Sequence, residues 1–256
     1  MRWRFPYILL LLILVALSSV QAHQGQTLTI AAAANLKTAM DVLGPAFEAR
    51  HPGTRLQVSL GASGSLVAQI QQGAPFDVFL AADADFPARL VAAGLVSGPS
   101  FPYATGRLVL WVRRDLGLAP DKDGLRVLLD PAVKRVSMGN PALAPFGRSA
   151  ETALKAAGLY EAVKAKLVFG ENIAQAAQYL QTGAAEAGFI SSPQVLAPVL
   201  VGGLAWTVPQ DLYPVQKQCG VLLKRSAQPA LAAAFRAYLL SSEAQATLAR
   251  LGFGAP

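Results

Sequence analysis

The chain has 256 residues, of which 53% are hydrophobic and 14% charged, and it carries a formal net charge of +7 at pH 7. That supports one sizeable apolar core or two smaller ones. A single cysteine, Cys219, excludes an internal disulfide, and with only two histidines there is no cluster suited to zinc or iron. The positive balance favours anions mildly, but Lys134, Arg135, Lys164 and Lys166 are scattered without interleaved aromatics, so nucleic acid is not an expected partner.

The first residues read as an address. Arg2 and Arg4 precede an apolar run from Ile8 to Leu17, and Val20-Gln21-Ala22 suits a signal peptidase. Residues 1–22 are therefore assigned to a signal peptide cleaved after Ala22. The run is shorter than the roughly 20 residues of a membrane span, and no later segment replaces it. No cysteine follows the leader, so an exported, freely diffusing protein is expected rather than a lipid-anchored one. Without Arg2 and Arg4 the formal charge falls from +7 to +5.

From there strands and helices alternate. Thr27 to Ala34 predicts a buried strand, followed by Leu36, Met40, Leu43 and Phe47 at helical spacing, with Asn35 at the N-cap position and a kink or break near Gly44 caused by Pro45. Arg55 to Leu60 predicts a strand, Gly61 to Ser65 a turn, and Leu66 and Ile70 one face of a helix. Phe76 to Ala81 predicts another strand, and Ala84 to Ala93 a helix closed by Gly94. The alternation pauses from Phe101 to Gly106. A second block then runs through strands at Arg107 to Arg113, Val133 to Met138, Leu167 to Phe169 and Ala187 to Ile190, with helices near Gly147 to Ala157 and from Ile173 to Gln181. After a proline-containing stretch, Pro209 to Pro214, a strand from Gly220 to Leu223 leads to a helix near Pro229 to Leu240. The pattern predicts an α/β protein with mostly parallel sheets covered on both faces. Two lobes fit it: residues 23–103 plus 213–256, and residues 104–212.

Four junctions share one character: Ala31 to Asn35, Gly61 to Ser65, Ala144 to Ser149 and Gly170 to Ile173 each end a strand and open a helix on small, polar or backbone-accessible residues. A helix start presents unpaired N–H groups and the positive end of its dipole, which suits an anion. Plainer roles exist for the same residues. Asn35 could be an ordinary cap, Ser63 and Ser65 a turn and cap, and Phe146 and Ile173 core residues acting, if at all, through the main chain. Asp83 and Asp85 read as first-turn helix acids, Glu171 as complementing a helix start from outside, His51 as a loop residue, and Cys219 as a small buried hydrophobe. His23 lies beside the new N-terminus. A secreted serine hydrolase is the competing reading of another class, but no histidine adjoins Ser63 as a base, so no enzyme is expected.

The stretches Ile30-Ala31-Ala32-Ala33-Ala34-Asn35-Leu36, Gly61-Ala62-Ser63-Gly64-Ser65-Leu66 and Gln72-Gly73-Ala74-Pro75-Phe76-Asp77-Val78-Phe79 recur, in order, in a known family. So do Gly139-Asn140-Pro141, Pro145-Phe146-Gly147, Gly170-Glu171-Asn172-Ile173 and Ser242-Glu243-Ala244-Gln245. With them the chain resembles the periplasmic molybdate-binding proteins of bacterial ABC uptake systems, a branch of the type II periplasmic binding proteins. The resemblance implies a two-lobed fold, a monomer in the periplasm, and molybdate or tungstate held between the lobes without a cofactor or a protein-bound metal cation. It also implies delivery to a membrane permease, with sulfate or another tetrahedral oxyanion as the rival ligand. Carried across, the ligand-binding positions are Asn35, Ser63, Phe146 and Ile173, with Ala34 beside the first. A tyrosine donor of some members is replaced here near Ser191 or Ser192.

Overall fold

The protein, seen as a computed structural model, is described for residues 25–196 and 200–256. The expected leader with its cleavage step after Ala22, and His23, lie outside the described residues. The strands are β1 Gln26–Ala33, β2 Thr54–Gly61, β3 Val78–Leu80, β4 Phe101–Gly106, β5 Leu108–Arg113, β6 Val136–Gly139, β7 Leu167–Gly170, β8 Ala187–Ser191, β9 Gly203–Thr207 and β10 Gln216–Leu222. The helices are α1 Lys37–Arg50, α2 Ser63–Gln71, α3 Asp85–Ala92, α4 Pro120–Asp123, α5 Pro145–Ala156, α6 Tyr160–Val163, α7 Ile173–Gln181, α8 Ser192–Val195, α9 Pro229–Leu239 and α10 Ser242–Arg250.

Two sheets of five strands organise the chain, in the orders β2-β1-β3-β10-β4 and β7-β6-β8-β5-β9. In each, four strands point one way and one is reversed, β10 in the first sheet and β5 in the second. The reversed strand is in both cases the first one laid down after the chain crosses over. One crossing lies between Gly106 and Leu108, the other between Thr207 and Gln216. Helices cover both faces of both sheets, because strands such as β1 and β5 are apolar on both sides.

Three local expectations are corrected. Asn35 caps no helix: it sits in a single 3-10 turn, Ala34–Leu36, and α1 starts only at Lys37. Pro45 does not break α1, which runs continuously to Arg50. Met40, Leu43 and Phe47 pack the helix onto the first sheet on both sides of the proline, and that burial outweighs one missing backbone bond. The pause from Phe101 to Gly106 is a strand after all. Pro102 is tolerated there because β4 is an edge strand, with a register shift between Gln218 and Cys219 opposite it. The strand β9 at Gly203–Thr207, again an edge strand, also escaped the hydrophobic pattern.

Asp77 pins the first sheet together. Its buried carboxylate accepts the Thr29 N–H at 2.7 Å and hydroxyl at 2.8 Å, the Ser226 hydroxyl at 2.7 Å and the Gln228 N–H at 3.3 Å. Burial alone would push its pKa up, but the bonds from Ser226, Thr29 and Gln228 outweigh that and hold it below the ordinary value of 3.8. A depressed carboxylate stabilises the fold above its unfolded pKa and loses that contribution as pH falls through the folded one. Asp77→Ala should therefore lower stability by about 3 kcal/mol at pH 7. Urea unfolding should show the gap to the parent protein narrowing as the pH is taken well below 3.8.

Candidate functional site

Three helix starts and one 3-10 turn converge on a single small cavity of about 10 Å³. From the first sheet come Ala33, Ala34 and Asn35 after β1, Gly61, Ala62 and Ser63 after β2, and Ala82 after β3; from the second come Ala144, Pro145 and Phe146 after β6, and Asn172 and Ile173 after β7. Among the described residues no charged side chain lines it. The sequence-expected residues Ala34, Asn35, Ser63, Phe146 and Ile173 are thus brought together, and all five are buried.

Four of the five carry an N–H or O–H group in a defined local setting. Ser63 is the first residue of α2, and its Oγ accepts the Ala82 N–H at 3.1 Å. That fixes the hydroxyl and leaves its proton to give. At α5, Pro145 brings no N–H of its own, and helical bonding starts with Arg148 N–H to the Ala144 carbonyl at 3.1 Å. The Phe146 N–H falls in the unpaired first turn, while the ring is buried in the second lobe's core. At α7 the Asn172 side chain caps the N–H groups of Ala174 and Gln175 at 2.9 and 3.1 Å. The N–H of Ile173 is outside that cap. The Asn35 amide pairs with the Gln218 amide at 3.0 Å, and Gln218 meets the Tyr103 hydroxyl at 3.2 Å. Both amides keep one further buried atom without a partner among the described residues.

Ser191 and Ser192 do not line the cavity. The Ser191 N–H and hydroxyl both donate to Gln194 Oε1 at 2.9 Å, opening α8, and the Ser192 hydroxyl donates to the Gly252 carbonyl at 2.8 Å. Both hydroxyls are thus engaged away from the cavity. Gln194, Gln218 and Tyr103 were missed in the sequence. Gln194 donates to the Ile173 carbonyl at 3.1 Å and so steadies the turn that presents the Ile173 N–H. Gln218 follows Gln216 and Lys217 at the polar start of β10, so no hydrophobic pattern singled it out.

The two halves are closed on each other. The Gly64 N–H donates to the Leu143 carbonyl at 2.9 Å and Gln216 Nε2 to the Pro145 carbonyl at 2.9 Å. Outside the cavity Arg148 pairs with Asp83 and lies 3.7 Å from Asp85. Burial raises the Asp83 carboxyl above its usual range, against the opposing Phe86 N–H and Arg148. Asp85 opens α3 as expected, Glu171 is exposed and off the cavity, and among the described residues no group of acids, histidines and cysteine is arranged for a metal. His51 is less solvated than expected: its ring stacks on Phe47 at 4.0 Å.

Residues 28–254 match the profile of the bacterial extracellular solute-binding proteins. The chain belongs to this family. Among its relatives, the molybdate-binding protein ModA of Azotobacter vinelandii is 40% identical over 91% of this chain and 92% of its own length. That of Rhodobacter capsulatus is 38% identical over 87% and 86%. The solved periplasmic molybdate-binding protein of Azotobacter vinelandii superposes with a TM-score of 0.82 at 30% identity, covering 90% of this chain and 99% of that one. A solute-binding protein needs an enclosed site between two movable halves, which is where the cavity lies.

The approach of α5 to β6 sets the donor at Phe146. A Cβ on Gly147 would fall 2.0 Å from the Gly139 carbonyl oxygen and 2.6 Å from its carbon. Both are backbone atoms and cannot turn aside. Gly147→Ala should lower stability by about 3 kcal/mol or more, read as a fall in Tm; an unchanged Tm would mean that α5 is not seated against β6 as described.

Proposed function

We propose that this chain captures molybdate, and tungstate with it, in the cavity between its two sheets and presents it to the permease of a bacterial ABC uptake system. Residues 1–22 would export it to the periplasm. What most supports this reading is the donor character of the site: the groups free to meet a ligand are the Ser63 hydroxyl, the Asn35 amide and the N–H groups of Phe146 and Ile173, with no carboxylate and no cation among the lining residues.

A fully deprotonated tetrahedral dianion can only accept. Each hydrogen bond to it contributes about 1.5 to 3 kcal/mol, so several together offset the loss of its hydration. Three of these donors stand at helix starts or beside them, whose dipoles add to the attraction without a countercharge. Because the donors come from both sheets, only the closed arrangement satisfies the anion, and binding draws the hinge at the two crossings shut. Hydrogen phosphate retains a proton and would strand it among donors; sulfate is smaller and would leave them stretched. A hydrolytic role finds no support at Ser63, whose oxygen is engaged by the Ala82 N–H rather than by a base.

Calorimetry of the leader-free protein with molybdate, tungstate, sulfate and phosphate tests the reading. Tight binding of the first two is expected, and heat only with sulfate or phosphate overturns it. Asn35→Ala and Ser63→Ala should each weaken molybdate binding by about tenfold or more, with a stability loss of about 1 to 3 kcal/mol from the buried partner each leaves unsatisfied, the Gln218 amide and the Ala82 N–H. Gly64→Ala should weaken it without touching any donor. Its Cβ would stand 3.1 Å from Leu143 Cα and 2.9 Å from the Phe86 ring, wedging the closed halves apart.

A further inference from the structure

Amide oxygen and nitrogen exchange places by a half-turn, so proton counting decides which end of Asn35 faces the cavity. The count starts at Tyr103, a fully buried phenol whose pKa burial drives upward, so its proton stays on. Tyr103 Oη lies 2.8 Å from the Ala81 carbonyl oxygen, a contact that requires the phenolic proton between them. It has no second proton. The Gln218 amide atom 3.2 Å from Tyr103 Oη must therefore donate, and is the nitrogen. The remaining proton of that nitrogen points at the Asn35 amide atom 3.0 Å away, which must accept, and is the oxygen.

The opposite arrangement has Asn35 Nδ2 donating to Gln218 Oε1 and leaves Gln218 Nε2 and Asn35 Oδ1 unpartnered. It buries both protons of the Gln218 amide without an acceptor and gives Tyr103 two acceptors for one proton. The first arrangement instead leaves its unpartnered NH₂ on Asn35, which lines the cavity, where an acceptor-only ligand reaches it.

We propose that Tyr103 and Gln218 form a relay that locks the Asn35 amide with its NH₂ toward the ligand, so that the site rejects anions carrying a proton. The inference rests on the oxyanion-binding reading above. Tyr103 and Gln218 act here as positioning residues. They touch the anion through Asn35 only, from the edge strand β4 and its neighbour β10 in the first sheet. With the relay intact, Asn35 offers two donor protons and no acceptor. Without it, the amide turns freely, and its oxygen can receive the O–H of hydrogen phosphate or hydrogen arsenate.

The test is competitive titration at neutral pH with molybdate and inorganic phosphate on the parent protein, Gln218→Met and Tyr103→Phe. Gln218→Met keeps side-chain length but neither donates nor accepts strongly; Tyr103→Phe keeps the ring and serves if the first variant fails to fold. Either variant should bind molybdate a few-fold more weakly and phosphate more strongly, lowering the molybdate-to-phosphate affinity ratio by at least about tenfold. A merely structural role would weaken both anions by the same factor and leave the ratio unchanged, which overturns the relay. A parent protein that does not bind molybdate overturns the function reading itself. Molybdate binding with an unmoved ratio overturns only the relay.

Discussion

Unpaired N–H groups at the starts of helices, buried and aimed at one point, are the constraint around which this molecule is built. A helix leaves its first N–H groups without internal partners, and burying them without an acceptor costs free energy. Here α2, α5 and α7 bury their starts at one place between two sheets. Some of those groups are satisfied internally, as by the Asn172 side chain or the Leu143 carbonyl. The remainder define a neutral, donor-rich interior that an acceptor-only guest completes.

The absence of countercharge among the lining residues follows from the same geometry. An arginine in the cavity would bind many anions indiscriminately and would itself need desolvating in the open form. The charged pair nearest by, Arg148 with Asp83, lies outside and spans the two halves, where water still reaches the guanidinium. On the proposed reading, selectivity comes from hydrogen-bond polarity and cavity size, and affinity from several donors acting in a low-dielectric space. Each sheet supplies part of the donor set on that reading, which couples recognition to closure.

Much of this was legible from residue order. The helix Ile173–Gln181 and the strand–helix alternation follow from local periodicity, which is a property of neighbouring residues. The edge strands β4 and β9 were not, because their burial is set by partners far along the chain and one of them contains a proline. The gathering of Ala34, Asn35, Ser63, Phe146 and Ile173 was foreseen through the family resemblance, while Ser191 turned out to be committed to Gln194. Asn35 is the instructive case. Its local context reads as a cap, yet its partner is Gln218, 183 residues away, and only the antiparallel return of β10 beside β3 and β4 makes that pairing.

Diffraction at the molybdenum absorption edge, from crystals of the leader-free protein grown with molybdate, tests the central claim most directly. The account predicts one anomalous peak inside the closed cavity, with its oxygens within hydrogen-bonding reach of the Asn35 amide, the Ser63 hydroxyl and the N–H groups of Phe146 and Ile173. A peak in the groove that Arg148 lines together with Asp83, Ser149 and Lys217, with the cavity between the helix starts holding no metal, would contradict it.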